Sequence, residues 1–310
     1  MILKQILLFL LASCICALAH ADTDPRLVGW GNLFVPGLGA TLRGDPGRGA
    51  IQFGYEGTTF TAGYALSDTK GFSSLDGISD TFKPFNQRAR SRNAQEDISS
   101  KMGSDILLEF AIKSHLVNTF TEYRDAFKAR GITEGLDQHT PLEGLELPFE
   151  KTYITEPDVW IPLALVAAAI TIDYVTTTPT AITPLNGSSN SLYAFNYGVW
   201  QPIGSGYPEE VAYRGFLQNE IKTTTGSPLL AVLLQSIAFA FSHEPGSGRY
   251  SAALVGAYLG YLAEKHRGDL GPGTVLHFWG DALLGLESIL LSNKGQRSTP
   301  AAGFSLQFNY

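Results

Sequence analysis

The chain contains few cysteines and few charged residues. Of its 310 residues only 2 are cysteines, Cys14 and Cys16, and both lie close to the N-terminus. If that segment is removed after export, a disulfide framework and a cysteine metal site are both excluded. Charged residues make up 16% of the sequence, whereas about a quarter is usual in soluble proteins. The long weakly charged stretches after Val159 therefore favour a membrane protein.

A dense run of basic or acidic residues is also missing. The formal net charge is -7, and no basic patch of the kind that neutralises phosphates can be found in the sequence. We therefore expect no nucleic acid as a partner. Gly37, Gly39 and Gly44 do not have the spacing of a dinucleotide-binding fingerprint, and no clear strand precedes them.

The N-terminal residues have the pattern of an export signal. Lys4 provides the charged start, residues 6–19 form an apolar run, and a small-x-small cleavage site ends at Ala21. We therefore predict a signal peptide over residues 1–21 and an exported N-terminus. Two alternatives stay open: a lipoprotein signal cleaved before Cys14, and an uncleaved anchor helix, although the apolar run is shorter than the about 20 residues of a full span.

Residues 22–156 are predicted to form an N-terminal region that is mostly polar. Its glycine- and proline-rich start leads into a semi-apolar run up to Leu66, which we interpret as one possible membrane helix. The aromatic and β-branched residues of that run would also fit a strand. A helical pattern follows over residues 105–128. His115 in this pattern has no partner at ligand spacing, so we interpret it as a packing or surface histidine.

Residues 157–292 are predicted to form a bundle of membrane helices, followed by a tail over 293–310 without assigned function. The run 160–174 is almost purely apolar, with an aromatic residue at each end, and is a candidate span. Glycine and proline separate four further helices, at about 192 or 207–222, 228–243, 250–264 and 273–291. The predicted fold class is therefore all-α, a polytopic membrane helix bundle of about five to seven helices. Gly256 and Gly260, four residues apart, would allow two of them to pack closely.

The first helix of the last third carries two adjacent acids followed by a base. Glu209 and Glu210 precede Arg214, which lies four residues after Glu210. A helix that starts at Pro208 would favour acids in its first turn and an i,i+4 ion pair. The pattern alone therefore also fits an ordinary surface helix.

Two other helices carry ionisable residues in apolar surroundings. His243 follows a long apolar run, where a histidine must find a partner or water. His277 and Asp281 lie on one face of the last helix, because they are four residues apart. Since isolated ionisable groups are costly in lipid, we expect all of these residues to converge on one cavity. Such a set of acids and histidines suits the activation of water.

Together the three elements, Glu-Glu-x-x-x-Arg, Phe-x-x-x-His and His-x-x-x-Asp, resemble the CPBP intramembrane proteases. That group includes the type II CAAX prenyl endopeptidases, and the resemblance covers about residues 200–292. It implies an integral, multi-pass membrane endopeptidase. The membrane that we expect is a bacterial cell membrane. The substrates implied are membrane-associated or lipidated peptides, or membrane proteins.

The resemblance also implies a role for each site residue. Glu209 would activate water with His243, Glu210 and Arg214 would hold the site together, and His277 and Asp281 would stabilise the oxyanion. Many members of the family have Asn where this chain has Asp281. An ionised carboxylate cannot donate a hydrogen bond, so the donor role rests more on His277.

A zinc site is the alternative, since Glu209, His243 and His277 could form a two-histidine, one-carboxylate site with water as the fourth ligand. Neither histidine belongs to a His-Glu-x-x-His motif, and the resemblance implies a water activated by glutamate alone. We therefore predict no metal and no other cofactor. Two rival functions use the same polar cluster: a non-catalytic CPBP relative, and a membrane transport or proton-relay protein.

Overall fold

The computed structural model describes residues 23–66, 98–176, 194–243 and 247–293. All regular structure in these ranges is helical, which confirms the all-α class. The predicted signal peptide and the tail after Asn293 lie outside the described residues.

Helices are numbered here in chain order. They are α1 (Pro25–Phe34), α2 (Leu38–Leu42), α3 (Pro46–Leu66), α4 (Ile98–Ala129), α5 (Pro141–Glu146), α6 (Lys151–Ile154), α7 (Pro157–Thr176), α8 (Gln201–Glu210), α9 (Asn219–Thr225), α10 (Pro228–Phe241), α11 (Ser247–Lys265) and α12 (Gly271–Asn293). A 3₁₀ turn, Leu147–Phe149, follows α5. The π-helical segments Asn196–Trp200 and Val211–Gln218 flank α8, so the chain is helical without interruption from 196 to 225.

The run up to Leu66 is helical, as predicted, which excludes the alternative strand. One detail of the sequence interpretation is wrong: Pro208 does not start a helix but lies inside α8. A proline within a helix removes one backbone hydrogen bond and crowds the preceding turn, and the turns that follow Glu210 have the wider π geometry. Short π-helical segments inside α-helices are frequent at functional sites.

Helix α4 connects the N-terminal helices to the bundle. It packs against α1 and α3, and also against α8 and the π-helical segment Val211–Gln218. Phe120 and Tyr123 of α4 are buried in one apolar cluster with Phe216. Gly215 makes this approach possible, because a Cβ there would come within 2.7 Å of the Phe120 ring.

Helices α10 and α11 approach each other at the predicted glycine pair. A Cβ on Gly256 would come within 3.0 Å of the Phe239 ring, and one on Gly260 within 2.4 Å of the Gln235 side-chain nitrogen. Larger residues at either position would therefore force the helices apart. The close packing places α11 beside the polar residues described below.

In the described part of the chain, one helix, α7, is long and apolar enough to cross a membrane, judged by its 20 residues and its composition. Helix α10 is also apolar but shorter, with 14 residues. Both expose large apolar side chains: Leu165 of α7 is 67% exposed and Leu229 of α10 is 70% exposed. The helical bundle is thus confirmed, whereas five to seven membrane crossings stay a prediction.

Candidate active site

The structure brings together the six residues that the sequence singles out. None of them is more than 6% exposed: Glu209, Glu210, Arg214, His243, His277 and Asp281. They come from the end of α8, the π-helical segment after it, the residue pair after α10, and the first half of α12. Elements distant in sequence therefore share one buried polar centre.

Glu210 connects three helices of this centre. Its Oε1 accepts hydrogen bonds from Arg214 Nη1 and from His277 Nδ1, each at 2.8 Å. Arg214 also donates to the carbonyl oxygen of Gly256 at 3.3 Å, and its guanidinium lies 4.4 Å from the centre of the Phe239 ring. The expected i,i+4 pair is therefore present, and it links α8 to α11 and α12 while fixing one nitrogen of His277.

The other nitrogen of His277 points towards two further carboxylates. His277 Nε2 lies 3.9 Å from Glu209 Oε2 and 3.8 Å from Asp281 Oδ2. Both distances exceed a hydrogen bond. Since Nδ1 is engaged by Glu210, Nε2 is the nitrogen of His277 that faces Glu209 and Asp281.

His243 lies on the same side of the site as His277. Its Nδ1 is 2.7 Å from the carbonyl oxygen of Phe239. A carbonyl oxygen only accepts hydrogen bonds, so Nδ1 carries the proton and the lone pair of the neutral ring is on Nε2. The Phe239 ring centre lies 4.5 Å from that of His243 and 5.8 Å from that of His277. Phe239 thus packs against both imidazoles.

Asp281 is anchored to α8 rather than to the histidine four residues before it. Its Oδ2 accepts a hydrogen bond from the Ser205 hydroxyl. The carboxylate is therefore held across the α8–α12 interface, close to His277 but not bonded to it. This geometry fits an acceptor that stabilises charge on His277 and does not suit a donor to an oxyanion.

Sequence reasoning missed one residue of this centre, Lys113 of α4. Its ammonium group donates to Glu209 Oε1, and its side chain is 15% exposed. In the sequence, Lys113 follows Glu109 by four residues in a polar helix, which is typical of a solvated i,i+4 pair. No local signal distinguishes it from such a pair, because its partner is 96 positions away.

Two other groups of acids and histidines in the described residues have ligand atoms close enough to hold a metal ion. They are Asp137, His139 and Asp269, and Glu156, Asp158 and His266. In the first group, the hydrogen bond from His139 to Asp137 raises the pKa of His139 above its usual value. Asp137 also accepts from the Tyr207 hydroxyl and the Leu270 amide, both at 3.2 Å. These hydrogen bonds give the first group a structural role, because they connect α8 to the start of α12.

Comparison with known families agrees with the motifs. Residues 191–283 match the family model described as type II CAAX prenyl endopeptidase Rce1-like. No curated protein and no solved structure matches the chain. The matched range contains all three motifs and excludes α4. The part of the chain that carries the six predicted site residues is therefore similar to the CPBP family of proteases, as its motifs predict.

Proposed function

We propose that this protein is an intramembrane endopeptidase in which Glu209 activates water. The observation that carries the proposal is the position of Glu209 Oε2. This oxygen is buried and has no hydrogen-bond partner among the described residues, and it faces His277 Nε2 at 3.9 Å. A carboxylate oxygen placed in this way can accept a proton from a water molecule bound between it and the imidazoles.

The reaction follows from these positions. Glu209 takes a proton from water, and the oxygen of the resulting hydroxide bonds to the carbonyl carbon of the peptide. His243 Nε2, which carries the lone pair of the neutral ring because Nδ1 donates to Phe239 O, accepts a hydrogen bond from the same water and keeps it oriented. When the tetrahedral intermediate collapses, the carbon–nitrogen bond breaks and the proton held by Glu209 passes to the leaving amine.

His277 is the donor to the oxyanion. The charged side chains of the centre are three carboxylates and two cations: Glu209, Glu210, Asp281, Lys113 and Arg214. The excess of one negative charge favours a doubly protonated imidazole at His277. Its Nδ1 then donates to Glu210, and its Nε2 donates to the oxyanion. Asp281 stabilises the imidazolium from 3.8 Å.

We propose that the reaction needs no metal. The ammonium group of Lys113 donates to Glu209 Oε1, a contact that competes with a cation at the same carboxylate. We expect cleavage by the purified protein to be unchanged after dialysis against EDTA and in the presence of 1,10-phenanthroline. Loss of cleavage on chelation, with recovery on adding Zn²⁺, would instead support the two-histidine zinc site.

The outer surface of the bundle supports a location in a lipid bilayer. Helices α7 and α10 expose large apolar side chains such as Leu165 and Leu229, while the interior contains buried charges such as Glu210 and Arg214. The exposed apolar surface is costly in water and favourable in lipid, and ionisable residues of membrane bundles face the interior, as they do here. We therefore place the protein in a cell membrane as a multi-pass protein that cleaves membrane-associated or lipidated peptides.

Peptide hydrolysis in isotopically labelled water tests the proposal. The purified wild-type protein in detergent is incubated with a farnesylated, fluorescence-quenched CAAX peptide in H₂¹⁸O, and the products are analysed by mass spectrometry. We expect a new carboxyl group with one ¹⁸O atom from the wild-type protein and no product from Glu209→Ala.

Three outcomes would contradict the proposal. Undiminished cleavage by Glu209→Ala would exclude Glu209 as the base. Proton or solute transport without cleavage, measured in liposomes, would favour the relay protein. Absence of both activities, together with identical peptide pools in wild-type and Glu209→Ala cells, would favour a non-catalytic relative.

A further inference from the structure

We propose that Lys113 of α4 is a positioning residue of this active site. Lys113 selects the oxygen of Glu209 that takes up the proton, and its positive charge balances the negative charge of Asp281. The inference rests on the proposed peptide hydrolysis. It extends the site beyond the matched range 191–283, to a helix that lies before that range.

The selection of one oxygen follows from the contacts of Glu209. Lys113 donates to Oε1, whereas Oε2 has no hydrogen-bond partner among the described residues. Oε2 is also the oxygen that faces His277, at 3.9 Å from Nε2. Because the lysine holds one oxygen, the carboxylate cannot rotate freely, and the other oxygen stays on the side where water and the oxyanion would be.

Neighbouring contacts hold Lys113 in place. One turn earlier on α4, Glu109 accepts hydrogen bonds from Trp200 Nε1 at 3.2 Å and from Gln201 Nε2 at 3.1 Å. Gly204 of α8 faces the same pair, because a Cβ there would lie 3.3 Å from Glu109 Oε1 and 3.9 Å from Lys113 Cγ. Helix α4 therefore packs on the start of α8 through these hydrogen bonds, at a place where Gly204 has no side chain.

The second role concerns charge. Many members of the family that the motifs resemble have Asn where this chain has Asp281, so relative to those members this chain has one additional carboxylate in its buried centre. Lys113 brings one additional cation to the same centre. The charged and titratable groups around Glu209 are Lys113 of α4, Glu210, Tyr213 and Arg214 of its own continuous helix, His243 after α10, and His277 and Asp281 of α12. Outside this set, Glu109 lies one turn before Lys113 and also acts on its charge. Without Lys113, this set would contain three carboxylates and only one permanent cation.

A set of variants at position 113 tests the proposal. Lys113→Met removes the charge and keeps the length of the side chain, and Lys113→Arg keeps the charge. Lys128→Met is the matched control, because it removes a lysine from the same helix ~22 Å further along its axis. We measure kcat, KM and the pH profile of cleavage of the farnesylated peptide by the purified full-length proteins.

We expect Lys113→Met to lower kcat about 10- to 100-fold, the effect of losing one charge-assisted hydrogen bond, with KM little changed. The acid limb of its pH–rate profile should move to higher pH, because a carboxylate without a neighbouring cation protonates more readily. Lys113→Arg should keep the wild-type profile, and Lys128→Met should match the wild-type protein throughout.

Each result decides between the hypotheses. A wild-type kcat and profile for Lys113→Met would overturn the role of Lys113 and leave the protease intact. If Lys113→Met melts at a lower temperature than the wild-type protein, the double variant Lys113→Met, Asp281→Asn is measured as well. It removes one carboxylate together with the lysine and so restores the charge balance of the centre. Recovery of the melting temperature and of the profile is expected, and recovery of neither overturns the proposal. If the wild-type protein cleaves no peptide while Glu209→Ala leaves the cellular peptides unchanged, both proposals are wrong.

Discussion

We expect the Glu209→Gln variant to cleave peptide about 100 to 10,000 times more slowly than the wild-type protein, the usual effect of removing a general base. An amide has nearly the shape of the carboxylate and can still accept the hydrogen bond from Lys113, but it cannot take a proton from water. The loss should therefore appear in kcat, while the melting temperature stays close to that of the wild-type protein.

Glu264→Gln is the matched control for this measurement. Glu264 accepts hydrogen bonds from Gln218 and Lys222 on the same bundle but is not part of the buried centre. Its variant should keep nearly full activity. His243→Ala should show a loss comparable to that of Glu209→Gln, because in the proposed mechanism both groups contact the same water. Full activity of either site variant would contradict the mechanism.

The second large effect concerns stability. We expect Arg214→Met to lower the free energy of unfolding by about 3–5 kcal/mol, the cost of leaving one member of a buried ion pair without its partner. Glu210 is fully buried, and Arg214 also holds the Gly256 carbonyl oxygen and packs over the Phe239 ring. Thermal unfolding in detergent, followed by circular dichroism, measures the change.

Two further variants make this prediction specific. Adding Glu210→Gln to Arg214→Met removes the buried carboxylate charge that Arg214 no longer balances and should restore part of the lost stability. Lys222→Met breaks a more exposed pair with Glu264, whose side chains are 38% and 21% exposed, and should cost only about 0–1 kcal/mol. Equal losses of unfolding free energy for Arg214→Met and Lys222→Met would show that burial of the Glu210–Arg214 pair does not increase its contribution to stability.

The helices were predictable because apolar runs and their glycine and proline boundaries are local properties of the chain. α7 and α10 follow directly from such runs. The helix around Glu209 was predicted less well. Pro208 is a helix-start residue by its local chemistry, yet in the structure the helix continues from 196 to 225 through two π-helical segments. Packing of α8 between α4 and α12 outweighs the local preference of one proline.

The residues that form the site were also largely predictable, whereas the contacts between them were not. Ionisable residues are rare on apolar helices, so their presence marks a functional centre. The spacing of His277 and Asp281 places both side chains on one face of a helix but does not give their partners. In the structure, His277 bonds to Glu210 instead, and Asp281 bonds to Ser205. These choices depend on the distances between helices, which no local pattern contains.

The sequence by itself determined that the chain is helical, that its last third carries three motifs similar to those of the CPBP proteases, and that six ionisable residues belong together. Only the tertiary structure decided that Lys113, from a helix outside those motifs, contacts Glu209. A buried lysine next to a carboxylate and an exposed lysine on a polar helix have the same local sequence. What distinguishes them is the removal of water by a second helix, which is a property of the packed chain alone.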